Sequence, residues 1–403
     1  MSRQYPGLQS LEIFVVGITS ALVFFYAVFY PLVHWDHIAY AAVAFDWLGH
    51  DITTVHAMAY QELKGHASAV EFDKLINFDE YRSTMHADPE AFRQQFPYYS
   101  MRVLYMLPLV VCAKLGVNLY SAINFLGALY HALGLLILYA GLRKVIGTIF
   151  WLLLPAIFYL VTKNLFVVST NGVDSMAFLW ACMISLAFLR NSKWLYFLLI
   201  TAVMVRTDAI IFVFLMLAFN ICVYRSELRM SFMTGVASVV VYFLINHFAG
   251  NYGWSTLFYF VFVSDLQATH PETYSTYAVD FKTYLSHVLN PDWIPGVLCM
   301  SLVLWSTIGY LCVRKISSDS DRNLNSDSGY MRADDLKLMY KTLVLSNVAV
   351  LCIFLHYLLF PLMRTRFFYS YYLIVFVCFG CACTMVWRSR KSGAMPQQAV
   401  SAD

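Results

Sequence analysis

Long apolar stretches alternate with short basic links along most of this chain. The apolar stretches fall at roughly 11–33, 118–142, 147–163, 175–190, 194–206, 208–224, 231–249, 293–313, 340–361 and 367–387. A bilayer core of about 30 Å needs about 20 apolar residues in helical form, so the pattern predicts about ten transmembrane helices. The first stretch lacks a small-residue cleavage site and reads as a retained signal anchor. The 194–224 stretch would extend about 46 Å as a single helix, too long for one crossing and short for two full ones. Lys193 precedes it and Arg225 and Arg229 follow it. A hairpin puts all three on one side, so two short helices are expected to meet at Arg206-Thr207-Asp208.

Charge then orients the pattern. With a cytoplasmic N-terminus, the inner links hold Arg143 and Lys144, Arg190 and Lys193, Arg225 and Arg229, and Arg314 and Lys315. The C-terminal end adds Arg388, Arg390 and Lys391, so every short inner turn is basic, as the positive-inside rule requires. Both termini are then cytoplasmic, in a plasma (inner) membrane. Segment 34–117 becomes a large outer loop with ten acids against six Lys or Arg. Its end, 97–116, is apolar but interrupted by Arg102, Pro108 and Lys114, and is expected to lie in the outer interface rather than span. A second outer segment covers about 250–292. The expected organisation is a transmembrane module over 1–315, a flexible polar loop at 316–339, a helix pair over 340–390 and a disordered tail at 391–403.

Composition narrows the function classes. The chain is 60% hydrophobic and 13% charged, about half the charge of a soluble domain. That excludes a cytosolic enzyme, a secreted disulfide scaffold and a disordered chain. A net charge of +3 gives no reason to expect a nucleic-acid partner. Eight of the nine cysteines fall in the expected spans and Cys112 in the apolar end of the outer loop, so no disulfide framework is indicated, and Cys378, Cys381 and Cys383 sit in an apolar stretch without a nearby His or acid, as packing residues do. The outer loops carry no Asn-x-Ser/Thr sequon, which leans toward a bacterial source. No Gly-rich phosphate loop, serine elbow or HExxH motif is present.

Four places could carry chemistry, and each has a bland alternative. In His34-Trp35-Asp36-His37-x-x-Tyr40, a helix would put Asp36 and Tyr40 one turn apart on one face. Asp36 is there either a general base raised by apolar surroundings or a helix cap between interfacial aromatics. Asp174 is either the cap of a helix or a second acid facing the same cavity. Arg206 either pairs with Asp208 or lipid headgroups, or grips a phosphate with its flat fork. Arg364 and Arg366 meet either anionic headgroups or a lipid-linked phosphate. His56, His66, His86, His131 and His356 show no metal-ligand spacing and receive no role.

The order of these features resembles the GT-C superfamily of multispanning glycosyltransferases, such as the protein O-mannosyltransferases and the lipid A aminoarabinose transferases. The likeness rests on Trp35-Asp36-His37-x-x-Tyr40, then Tyr98-Tyr99-x-x-Arg102 with Pro108, then Leu142-Arg143-Lys144, Asp174 and Val205-Arg206-Thr207-Asp208. It covers about residues 10–225. It implies an all-α integral membrane fold with a large first extracytoplasmic loop of interfacial helices. It implies a polyprenyl-phosphate-linked sugar donor and Asp36 as base or metal ligand. Asp174 is then the second catalytic acid, and His37, Tyr40, Tyr99, Arg102, Arg206, Asp208, Arg364 and Arg366 bind substrate. Many members have two adjacent acids where this chain has Asp36-His37, so the resemblance does not carry metal dependence over to this chain: no cofactor is certain, and a divalent cation is one option. The chain has no globular outer domain for peptide selection after its last span, so the expected acceptor is a lipid or a glycan. The runners-up are a transporter or flippase for a lipid-linked glycan and a glycan polymerase.

Overall fold

The computed structural model describes residues 6–30, 33–143, 146–148, 150–152, 172–223, 227–264, 269–274, 279–289, 333–360, 370–371, 374–375, 377–378, 380–381 and 384. Every regular element among them is helical. The first, α1 (Pro6–Phe29), leads into a group of shorter helices: α2 (Trp35–Asp46), α3 (Ile52–His66), α4 (Ala69–Asn77), α5 (Glu80–Ala87), α6 (Pro89–Arg93), α7 (Phe96–Ser100) and α8 (Val103–Lys114). Longer apolar helices follow as α9 (Leu119–Leu142), α10 (Gly172–Leu189), α11 (Trp194–Val205), α12 (Ile210–Val223) and α13 (Leu228–Phe248). The short α14 (Trp254–Phe258), α15 (Pro271–Tyr274) and α16 (Phe281–Val288) precede the long α17 (Ala333–Leu359).

Five stretches within these helices are long and apolar enough to cross a membrane: Gln9–Phe29, Leu119–Leu142, Gly172–Leu189, Leu228–Phe248 and Tyr340–Leu359. The chain is therefore an all-α protein of membrane-spanning character. The expected spans at 293–313 and, for the most part, at 147–163 and 367–387 lie outside the described residues, as do 316–332 and the tail from 385. α11 and α12 form the two short helices expected for 194–224, joined by a 3-10 turn at Thr207–Ala209. α17 starts at Ala333, so it takes in the end of the segment expected to be a polar loop to 339.

Caps divide the polar segment into its short helices. The Asp51 carboxylate accepts from the Thr54 amide at 3.1 Å, and Asp79 accepts from the Arg82 amide at 2.8 Å. Ser68 and Glu71 form a reciprocal capping box at the start of α4. Each device satisfies amides that a helix start leaves open. Much of the acidity of this segment is thus structural. α8 has 12 residues, about 18 Å of helix, which cannot cross a 30 Å core.

Two apolar cores result. One joins α9, α10, α11, α12 and α17 around Phe178, Leu199, Val213 and Val348. The other joins α2, α3, α6 and α8 to the start of α9 around Ile38, Leu63, Phe92 and Met106. Without a hydrophobic drive between helices in lipid, close approach depends on small residues. Gly134 on α9 supplies it, since a Cβ there would sit 2.5 Å from the Phe178 ring on α10. Polar termini of α10 are matched as its dipole demands: Asp174 lies in its first turn, and the buried Lys341 of α17 donates to the Leu189 carbonyl at 2.9 Å at its last.

Candidate active site

The first turn of α2 sets the site's floor. The helix is capped by His34, whose Nδ1 accepts from the Asp36 amide at 3.2 Å and also lies 3.2 Å from Asp36 Oδ2. The capping alternative for Asp36 is therefore not realised: His34 caps, and the Asp36 carboxylate is left to face a cavity. Tyr99 from α7 donates to Asp36 Oδ1 at 3.2 Å. Burial pushes the Tyr99 phenol well above the usual tyrosine range, and the Asp36 charge adds to it, so Tyr99 stays protonated as a donor.

One cavity of about 520 Å³ gathers Asp36, Tyr40, Tyr99, Arg102, Asp174 and Arg206 on its wall, with Asp208 beside them. Asp36 and Tyr40 share the face that their one-turn spacing predicted. His37 does not: it is buried at 1% exposure and is not among the lining residues. It follows Asp36 by one residue, about 100° around a helix, so a helix that points Asp36 into the cavity turns His37 away. Arg364 and Arg366 lie outside the described residues.

Arg206, at the tip of the α11–α12 hairpin, is the centre of an ion cluster. Its Nη1 donates to Asp174 Oδ1 at 2.7 Å, and its Nε and Nη2 donate to Asp208 at 3.0 and 2.7 Å. The side chains of Arg206 and Asp174 are 14% and 5% exposed. Burial opposes the guanidinium's charge, but Asp208 and Asp174 outweigh it and hold Arg206 above its usual range. Burial likewise raises Asp208, yet Arg206 and a contact with His356 bring it well below the carboxylate range. Asp174 thus serves as an ion-pair partner from the first turn of α10.

Arg102 is held differently. Its guanidinium lies 5.6 Å from the Tyr40 ring centre and 5.7 Å from that of Tyr99, and its Nη1 donates to the Tyr98 carbonyl. Among the described residues no carboxylate lies within ion-pair distance of it. Burial raises the Tyr40 phenol, whose proton also feels Arg102, Asp36, Asp174 and Arg206 together.

Sequence reasoning missed His356, whose Nε2 lies 3.0 Å from Asp208 Oδ2. It also missed the Asp79–Arg82 pair and Gln95 on the cavity wall. His356 did carry a signal: an ionisable group in a long apolar helix is expensive without a polar partner. Ile211, Leu257, Val261, Leu359 and Phe360 give the cavity an apolar stretch of wall. Among the described residues no group of three or more His, Cys, Asp or Glu side chains gathers in a metal-binding arrangement.

Comparison with protein-family models, with curated proteins and with solved structures returned no match.

Proposed function

We propose that this cavity transfers a sugar from a polyprenyl-phosphate donor to a lipid or glycan acceptor, as a membrane glycosyltransferase of GT-C type. The proposed setting is a ten-helix protein of the plasma (inner) membrane, with cytoplasmic termini and the cavity on the extracytoplasmic side. One observation carries the reading: a single cavity holds a carboxylate with a hydrogen-bonded tyrosine, an arginine without a carboxylate partner among the described residues, and an apolar wall. Those are the three surfaces an amphiphilic donor needs, for its reacting carbon, its phosphate and its first prenyl units.

The acceptor hydroxyl attacks the anomeric carbon, and its proton passes to Asp36. The bond from that carbon to the phosphate oxygen breaks, and the phosphate leaves with the electron pair. Tyr99 orients Asp36. Arg102 meets the negative charge that grows on the leaving group, the kind of interaction that is stronger in the transition state than before it. Arg206 acts indirectly, by holding Asp174 and Asp208 in place. Arg364 and Arg366 are further phosphate ligands in this proposal. Asp36 would be the residue open to a divalent cation, and no step above passes through one. Direct displacement inverts the anomeric centre.

The test incubates the protein in phospholipid nanodiscs with prenyl-phosphate sugars and follows release of prenyl phosphate. Wild type releases it with at least one sugar, and Asp36→Asn slows release by about 10²- to 10⁴-fold, the range for loss of a general base. A folded Asp36→Asn variant with full turnover would remove the base assignment.

A further inference from the structure

The transfer step leaves part of the same cavity without work. There the Arg82 guanidinium lies 5.7 Å from the Trp35 ring centre and 4.7 Å from that of Phe78. Its Nε is 3.6 Å from Asp79 Oδ2, too far for a made hydrogen bond, and both side chains are about a quarter exposed. Beside them Trp35 packs edge-on against Tyr81 at 5.8 Å, Tyr81 lies 5.9 Å from Phe260, and Phe260 stacks on Tyr98 at 5.7 Å and 11°. All of these except Phe78 line the cavity.

Two buried oxygens sit in the same wall. Gln95 is 1% exposed and Tyr98 7%. Gln95 Oε1 and the Tyr98 hydroxyl have no hydrogen-bond partner among the described residues, although the Gln95 amide nitrogen reaches the Thr269 carbonyl at 3.4 Å. An unsatisfied buried polar atom costs about 1–3 kcal/mol, so a ligand whose arrival turns either side chain toward the cavity gains a hydrogen bond that the empty wall lacks.

The chemistry of the wall selects that group. Asp79 and Arg82 cancel in charge, so this end does not attract an anion as the Arg102 end does. Together they offer acceptors and forked donors side by side, which suits neighbouring hydroxyls, each a donor and an acceptor. Flat aromatic faces with a few fixed polar groups are the usual makeup of a small-molecule site. We propose that Trp35, Asp79, Tyr81, Arg82, Gln95 and Tyr98 form a subsite for a neutral, hydroxylated sugar ring. Trp35 and Asp36 line the same cavity from the first turn of α2, so a ring held there shares that cavity with the proposed base. The subsite selects the sugar in the transfer proposed above, and only this role rests on that reading; binding itself does not.

The experiment uses the full chain in phospholipid nanodiscs and saturation-transfer difference NMR. The probes are methyl α-mannopyranoside, methyl β-glucopyranoside and inorganic phosphate. The proposal expects ring-proton saturation for at least one glycoside, undiminished by inorganic phosphate. Asp79→Asn, which keeps the helix cap because Asn caps as well as Asp, weakens that binding about tenfold. Arg82→Lys, which keeps the charge but loses the fork, does the same. Absence of glycoside saturation, displacement of the glycoside by phosphate, or wild-type binding by both variants would overturn it. Glycoside binding with no prenyl phosphate released from any donor supports the subsite and overturns the transferase reading. Turnover that ignores both variants overturns the subsite's role in selecting the sugar and leaves the transferase reading standing.

Discussion

Arg206 is gripped by two carboxylates, whereas Arg102, on the wall of the same cavity, is held by two tyrosine rings and a peptide carbonyl. The same side chain therefore has two kinds of environment a short way apart. Aspartates at 2.7 Å satisfy Arg206's charge before any ligand arrives, so its strength goes into joining the α11–α12 tip to the first turn of α10. Aromatic faces position Arg102 without cancelling its charge. The contrast teaches that an arginine beside a candidate active site is a phosphate ligand only if its counterion has yet to come.

The comparison breaks most severely at Arg206. Arg206→Leu leaves Asp174 buried without its cation and is expected to lower stability by about 3–5 kcal/mol, read as a fall in unfolding temperature in nanodiscs. Arg102→Ala tests the other half. It should slow prenyl phosphate release by about 10²- to 10³-fold, the range for loss of one charge-stabilising donor, while leaving the unfolding temperature close to wild type. Equal losses of stability in both variants would erase the distinction. A smaller effect belongs to His356. His356→Ala removes a partner of Asp208 and should cost about 1–2 kcal/mol of stability, within the range for a lost hydrogen bond.

Acid sharpens the same point with the smallest effect. Asp208 is held below the usual aspartate value of 3.8, so its contribution to stability is present above that pH and fades as pH falls through its folded value. The stability gap between wild type and Asp208→Asn should stay constant from pH 8 to about pH 5 and close below about pH 4. About a third of the Asp208 side chain is exposed, which screens the interaction and keeps this gap modest. A gap that closes between pH 7 and 5 would place the titration on another group.

Local features of the chain were legible where local spacing decides the outcome. The interruption of 194–224 by Arg206-Thr207-Asp208 foretold a hairpin because an apolar run too long for one crossing must break where its polar residues lie. Asp36 and Tyr40 share a face because helical periodicity fixes it, and the same periodicity excludes His37. The pairing of Arg206 with Asp174 was not legible, because nearly the whole of α10 and all of α11 separate the partners in sequence and they meet only through packing of those two helices. His356 reaches Asp208 from still further along the chain. Arg82 was not legible as a cavity residue, because only tertiary packing brings α5 to the first turn of α2 and sets its guanidinium over Trp35. The ten-span topology rests on the charge pattern of the links, beyond the five crossing helices described.

Titration with farnesyl phosphate, followed by ³¹P NMR of its monoester resonance in amphipol-solubilised protein, tests the central assignment without knowledge of the sugar. The account predicts saturable broadening in wild type, an affinity lowered at least about tenfold in Arg102→Ala, a single lost charge contact of about 1.4 kcal/mol or more, and near wild-type affinity in Asp36→Asn. Equal affinity in wild type and Arg102→Ala would contradict it.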